Sequence, residues 1–83
     1  MTTLFLFGAD YASPAALHSA LKTLLNLPDY YGMNADALCD CLSAQPPIRL
    51  YVCGRGEGET AAALDRCMRV VRDCGGEAVL LGR

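Results

Sequence analysis

The stretch "IRLYVCGRGEGETAAALDRCMRVVRDCGGEAVLLG", residues 48–82, holds a strand, a loop, a helix and a second strand in direct succession. Ile48, Leu50 and Val52 alternate with Arg49, Tyr51 and Cys53, the period of a strand with two unlike faces, and Gly54 ends it. "GRGEGE" reads as a flexible crossover loop. In "TAAALDRCMRVVRDC", residues 60–74, Leu64, Cys67, Met68, Val71 and Cys74 share one helical face. Asp65, Arg66, Arg69, Arg72 and Asp73 share the other, and Gly75-Gly76 supplies the stop. "EAVLLG", residues 77–82, is a last strand, too apolar for a solvated edge. A strand, a helix and a strand joined this closely make a parallel pair with a right-handed crossover.

The first half carries the same kinds of element. "TLFLFG", Thr3–Gly8, is a continuous apolar run closed by glycine, the pattern of a buried strand. "SPAALHSALKTLLNLP", residues 13–28, is a helix: Ser13 suits the N-cap, Pro14 the first helical position, and Pro28 bars continuation. Leu17, Ala20, Leu21 and Leu24 form its core face. A second helix runs from its N-cap Asn34 to about Ser43, and "AQPP" ends it. At about 100° per residue, Leu38, Cys41 and Leu42 fall on one side of it, and Asp36, Asp40 and Ser43 on the opposite side. It therefore buries its leucines and presents its aspartates. The order strand, helix, helix, strand, helix, strand predicts an α/β fold, a small three-stranded parallel β-sheet packed with α-helices; the strand order stays open. The 83 residues suit one domain, residues 1–83, of modest stability.

A net charge of −2 excludes a strong general attraction for nucleic acid. The charge is unevenly placed: no Lys or Arg lies between Lys22 and Arg49, while Asp29, Asp36 and Asp40 all do. That reads as an acidic patch free of basic residues, to which a basic partner would be steered. The start "MTTLFLFGADYASP" has no basic segment, and its apolar run is too short for a signal peptide. No stretch is long enough to span a membrane. Five cysteines cannot all pair within one chain, so free thiols in a reducing cytoplasm are expected.

The groups able to carry chemistry each have a plain structural reading. Cys39 and Cys41 point about 200° apart on a helix, and metal-ligand spacings are missing, so no metal and no cofactor are expected. Gly54, Gly56 and Gly58 stand where phosphate loops stand, but their spacing is that of no phosphate-binding motif, and Glu57 and Glu59 would repel a phosphate. His18, the one histidine, has no nucleophile or orienting partner by spacing, so its role is structural and no catalytic residue is expected. Asp36 and Asp40 suit a catalytic carboxylate pair, a solvated helix face or a binding surface. Their neighbours Tyr30 and Tyr31 favour the binding surface, because tyrosine combines apolar area with a polar tip.

"ALHSALKTLLNLPDYYGMNADALCDCL", residues 16–42, closely resembles the barstar family of ribonuclease inhibitors. The resemblance is carried by L-H-x-x-L-K (Leu17, His18, Leu21, Lys22) and by L-P-[DE]-Y-Y-G-x-N-x-D-A-L-x-D-C-L from Leu27 to Leu42, about a third of the chain. It implies a barstar-like fold and a non-enzymatic, cytoplasmic inhibitor, monomeric when free. Its partner would be a small basic, barnase-like ribonuclease, neutralised before export, with no nucleic acid or membrane involved. It further implies that Asp40 enters the enzyme's phosphate-binding pocket, that Asp36 pairs with a further basic group, and that Tyr30 packs near the enzyme's catalytic histidine. Gly32 and Asn34 would make loop contacts, Ser43 would lie at the patch edge, and Cys39 stands within the surface where the family often has Trp. A second family Trp is replaced in "AQPP". The segment between the second strand and last helix is cut to "GRGEGET", so one short helix should be missing. The family's acidic contact on the last helix is not matched; Arg72 and Asp73 lie there. Two rivals stay open: an interaction module with a non-nuclease target, and a cysteine-based redox or metal-binding domain.

Overall fold

The computed structural model describes residues 2–81. Three strands, β1 (Thr2–Phe7), β2 (Ile48–Cys53) and β3 (Glu77–Leu81), pair in parallel in the order β1-β2-β3. Thr2 is in register with Ile48, and Arg49 with Glu77. Between them run a short 3-10 turn (Gly8–Asp10) and the helices α1 (Pro14–Leu24), α2 (Ala35–Ser43) and α3 (Gly58–Asp73). The expected three-stranded parallel α/β architecture is therefore present, and among the described residues no helix stands between β2 and α3. The last strand expectation reached Gly82, which lies outside the described residues.

The strand order decides what is buried. Both crossovers step the same way across the sheet, and crossovers of one hand that do so must lie on one face. On that face Leu4, Leu6, Ile48, Leu50, Val52 and Ala78 are buried. They meet Leu17 and Leu21 of α1, Leu38 and Leu42 of α2, and Leu64, Cys67 and Val71 of α3 in one core. α3 touches the other two helices, β2 and β3. The capped ends of the other two helices, the Ser13 hydroxyl accepting from Ala16 N at 3.2 Å in α1 and the Asn34 side-chain oxygen accepting from Ala37 N in α2, follow the expected residues.

The opposite face of the sheet is open, which corrects two expectations. β1 is buried on one side only, with Phe5 and Phe7 about half exposed, and β3 is a largely solvated edge whose Val79, Leu80 and Leu81 are each exposed. Most parallel sheets are covered on both faces, and the apolar content of these strands suggested the same. The open face is instead dressed by a stacked pair, Phe5 and Tyr51 with ring centroids 5.2 Å apart, and by Arg49 donating to Glu77 at 2.7 Å.

Two smaller corrections concern helix ends. α1 stops at Leu24, before Pro28, because Asn26 turns into the left-handed region with φ 52°. Leu24, the last residue of the helix, is exposed, while His18 is buried and Leu25 packs against the core. Cys74 is the C-cap of α3 and only half buried, beside the core and not within it. α3 starts at Gly58, two residues before the expected Thr60.

The glycines after β1 and β2 answer a packing need. A Cβ on Gly8 would overlap the Gly54 carbonyl, and one on Gly56 would come 2.8 Å from the Gly8 oxygen. Gly8 N donates to Gly54 O at 3.0 Å across this contact. The start of the "GRGEGE" loop is thus a close backbone joint between strand ends, which accounts for Gly54 and Gly56 without a phosphate.

Leu38 is 1% exposed and Leu24 is 49% exposed. Leu38→Ala is expected to destabilise by roughly 2–5 kcal/mol, and Leu24→Ala by no more than about 0.5 kcal/mol. Urea titration of the two variants checks both; equal midpoints would mean that α2 does not dock by its leucines.

Candidate functional site

The site begins where α1 ends. After the left-handed Asn26, Leu27 N donates to Lys22 O at 2.9 Å and the Leu27 side chain enters the core. Tyr31 N then donates to Pro28 O at 2.9 Å, closing a turn over Pro28–Tyr31. The two adjacent tyrosines part company there: Tyr31 is 5% exposed and Tyr30 is 85% exposed. The division is fixed by a buried hydrogen bond of 2.6 Å between the Tyr31 hydroxyl and His18 Nδ1 of α1, with the two rings 5.9 Å apart.

Burial, with smaller contributions from Cys67 and Cys41, pushes the Tyr31 hydroxyl well above its ordinary pKa, so it keeps its proton. Burial, and secondarily the Arg66 guanidinium, pushes His18 below its ordinary value, so the imidazole is neutral. A protonated phenol donating to a neutral ring nitrogen satisfies both groups. The structural role expected for His18 is therefore specific: it pins the residue next to the exposed tyrosine. Thirteen residues separate the two across a loop, so spacing held no signal for the pair.

The loop meets α2 through Asn34. Its side-chain oxygen accepts from Ala37 N at 2.8 Å, and its amide nitrogen donates to Gly32 O at 3.2 Å. Asn34 thus caps the helix and holds the loop with one side chain. Gly32 runs close to α2: an added Cβ would lie 3.3 Å from Ala37 Cβ. The left-handed residue of this loop is not the glycine but its neighbour Met33, φ 58°, an uncommon conformation for such a side chain.

Leu38 and Leu42 anchor α2, and Asp36 and Asp40 stand exposed on its outer face. Asp36 lies in the first turn, where the helix dipole favours a carboxylate. Asp40 and Tyr30 line one hollow of about 270 Å³, floored by Leu27, Pro28 and Ala44. Ser43 is exposed and donates its hydroxyl to Cys39 O at 2.8 Å. Cys39 is half buried, and its carbonyl oxygen lies 3.9 Å from Cys74 Sγ at the end of α3. Larger hollows of about 420 and 430 Å³ exist elsewhere; of the three arginines lining the first, Arg55 is engaged with Asp65 and Arg72 with the Ala78 carbonyl.

One part of the electrostatic expectation is corrected. The sequence suggests three aspartates free of basic residues, but Lys22 of α1 folds back to Asp29 at 3.5 Å. The gap in basic residues along the sequence is not a gap in space. With Asp29 fully exposed the pair itself contributes little, yet the acidic face reduces to Asp36 and Asp40. Among the described residues no three His, Cys, Asp or Glu side chains cluster as a metal site, and no helix is long and apolar enough to cross a membrane.

A family model described as barstar (barnase inhibitor) matches residues 1–79. A Bacillus subtilis (strain 168) protein named "Putative ribonuclease inhibitor YrdF" is 46% identical over 43 residues, 52% of this chain and 47% of that protein. The match thus spans about half the length of that relative.

The His18–Tyr31 pair makes stability depend on pH in a defined direction. A histidine whose folded pKa lies below its unfolded value of about 6.5 contributes stability at higher pH and loses it as pH falls through that value. Between about pH 6.5 and 5, above the carboxylate range, unfolding free energy should fall by up to ~1.4 kcal/mol per pH unit. His18→Gln should flatten that slope. Denaturant titrations across the window, on both proteins, measure it; a flat wild-type profile would mean that His18 charges freely in the fold.

Proposed function

This chain belongs to the barstar family, and from that premise we propose that it is a non-enzymatic protein inhibitor that blocks a small basic, barnase-like ribonuclease. In this reading α2 and the loop before it enter the enzyme's active site. Asp40 takes the phosphate position and meets the enzyme's cations. Asp36 pairs with a neighbouring basic group, and Tyr30 lies against the catalytic histidine. Gly32 and Asn34 present the loop, with Cys39 and Ser43 at the edge. The protein acts as one domain over residues 1–83, monomeric when free, in the cytoplasm, where it neutralises the nuclease before export. It needs neither cofactor nor metal.

The observation that carries the reading is the pairing of a fixed scaffold with a free surface. Tyr30 is 85% exposed beside Asp40, while the residues that position them, Tyr31, Leu38 and Leu42, are each at most 5% exposed. A side chain held this way is spent neither on the fold nor on local contacts, so its area and charge are available to a partner. A carboxylate on a rigid helix can occupy a phosphate site through charge-assisted hydrogen bonds, and it has no scissile bond, so the inhibitor is not consumed. Cys39 and the stretch "AQPP" offer less contact area than aromatic side chains would, which makes the aspartates and Tyr30 the main determinants.

Asp40→Ala is expected to weaken inhibition by roughly 2–5 kcal/mol, the general range for stripping one partner from a buried charge pair, to which barstar complexes themselves contribute. Its stability should stay within about 0.5 kcal/mol of wild type. Asp36→Ala should lose less affinity. Asp65→Ala, on α3 beside Arg55, should keep full affinity at a stability cost of up to about 1 kcal/mol for an exposed ion pair. Inhibition constants and melting curves against a panel of small basic microbial ribonucleases decide the matter. Wild-type affinity in Asp40→Ala would end the proposed mechanism, and no inhibition by wild type would end the nuclease reading.

Association should also be steered. Its rate constant is expected to fall steeply as salt shortens the Debye length to about 10 Å at 0.1 M. Stopped-flow mixing at several ionic strengths tests this, and a flat profile would remove long-range attraction from the account.

A further inference from the structure

Cys74 caps α3, and its Sγ lies 3.9 Å from the Cys39 carbonyl oxygen and 3.9 Å from Ser43 Oγ. The Ser43 hydroxyl donates to that same carbonyl at 2.8 Å. The Cys74 thiol is therefore seated against the turn of α2 that starts at Cys39. The neighbouring Cys74 thiol holds the Cys39 pKa above the ordinary thiol value. Both cysteines are half-buried. The other three stand in different surroundings. Cys67 is buried, its thiol pushed up to about 11; Cys41 packs against the core, and Cys53 sits on the open face of the sheet.

We propose that Cys39 and Cys74 form an oxidisable thiol pair that closes a reversible disulfide between α2 and the end of α3. The oxidant is a peroxide. One thiolate attacks a peroxide oxygen and breaks the O–O bond, giving a sulfenic acid and one water. The second thiolate attacks that sulfur, the S–S bond forms, and a second water leaves. In sum two thiols give up two protons and two electrons, and one hydrogen peroxide takes them. Excess dithiol reverses the bond by exchange.

The bridge would close a loop of 35 residues in sequence separation and tie the short helix that carries Asp36 and Asp40 to the longest helix of the fold. It makes no demand on the identity of any partner, so it stands or falls apart from the nuclease reading.

The test is intact mass and non-reducing peptide mapping of the whole protein after hydrogen peroxide, followed by dithiothreitol. The expected result is a monomer lighter by two hydrogens, with one linked peptide pair containing Cys39 and Cys74, restored on reduction. In the reduced native protein both residues should alkylate, and after oxidation both should be protected. Cys39→Ser and Cys74→Ser should each abolish the mass loss, and Cys53→Ser should leave it unchanged. Alkylation of the wild type keeps the test decisive should a serine variant fail to fold. A different linkage, a disulfide between two chains, or sulfinic acid at Cys39 without a link would overturn the proposal.

Discussion

The fold rests on one topological constraint: strands taken in the order β1-β2-β3 by crossovers of a single hand. Such a chain never reverses direction across its sheet, so it has no means of covering the second face. Every helix must pack on the same side, and α3 becomes the element that the others lean on. It meets α1, α2, β2 and β3. The cost is a sheet with apolar residues in solvent. Stacked rings and an ion pair at Arg49–Glu77 moderate that cost without removing it.

That arrangement also sets where a binding surface can be built. The single connection from β1 to β2 holds two helices and the loop between them, so α2 is a short segment with one face committed to the core. Its outer face is free because nothing packs over it. The loop before it is held at three places: Leu27 in the core, Tyr31 on His18, and Asn34 at the helix cap. Between these fixed points Tyr30 has no freedom to turn inward. The neutral imidazole of His18 thus acts on the surface through its neighbour's position and not through its own charge.

Much of this was legible in the sequence, for physical reasons that also mark where legibility stopped. β2 and α2 each have one wet and one dry face, so their periods of two and of about 3.6 residues show in the residues themselves. Leu38 and Leu42 against Asp36 and Asp40 is such a case. β1 and β3 are apolar on both sides, so their pattern is blind to which side is covered, and strand order is a property of the whole chain. Leu24 keeps the helical spacing of Leu17 and Leu21 and yet is exposed at the last position of α1, where Leu25 packs against the core, a difference that spacing does not carry. The pairs His18–Tyr31, Lys22–Asp29 and Cys39–Cys74 are formed by the path of the chain through space, and nothing periodic announces them. Which of two adjacent tyrosines faces outward followed from family resemblance, not from the pattern of the residues.

The register of the sheet carries a consequence for the order of assembly. β1 must find β2 across the long connection that joins Thr2 to Ile48, whereas β2 finds β3 across the shorter one from Arg49 to Glu77. Closing the shorter loop costs less entropy, and contacts near in sequence form faster. The unit β2-α3-β3 is therefore the natural nucleus, and α2 lies outside it. On a ribosome β1, α1 and α2 emerge before that unit, so they wait, unpaired, for it to supply the surface on which α2 comes to rest.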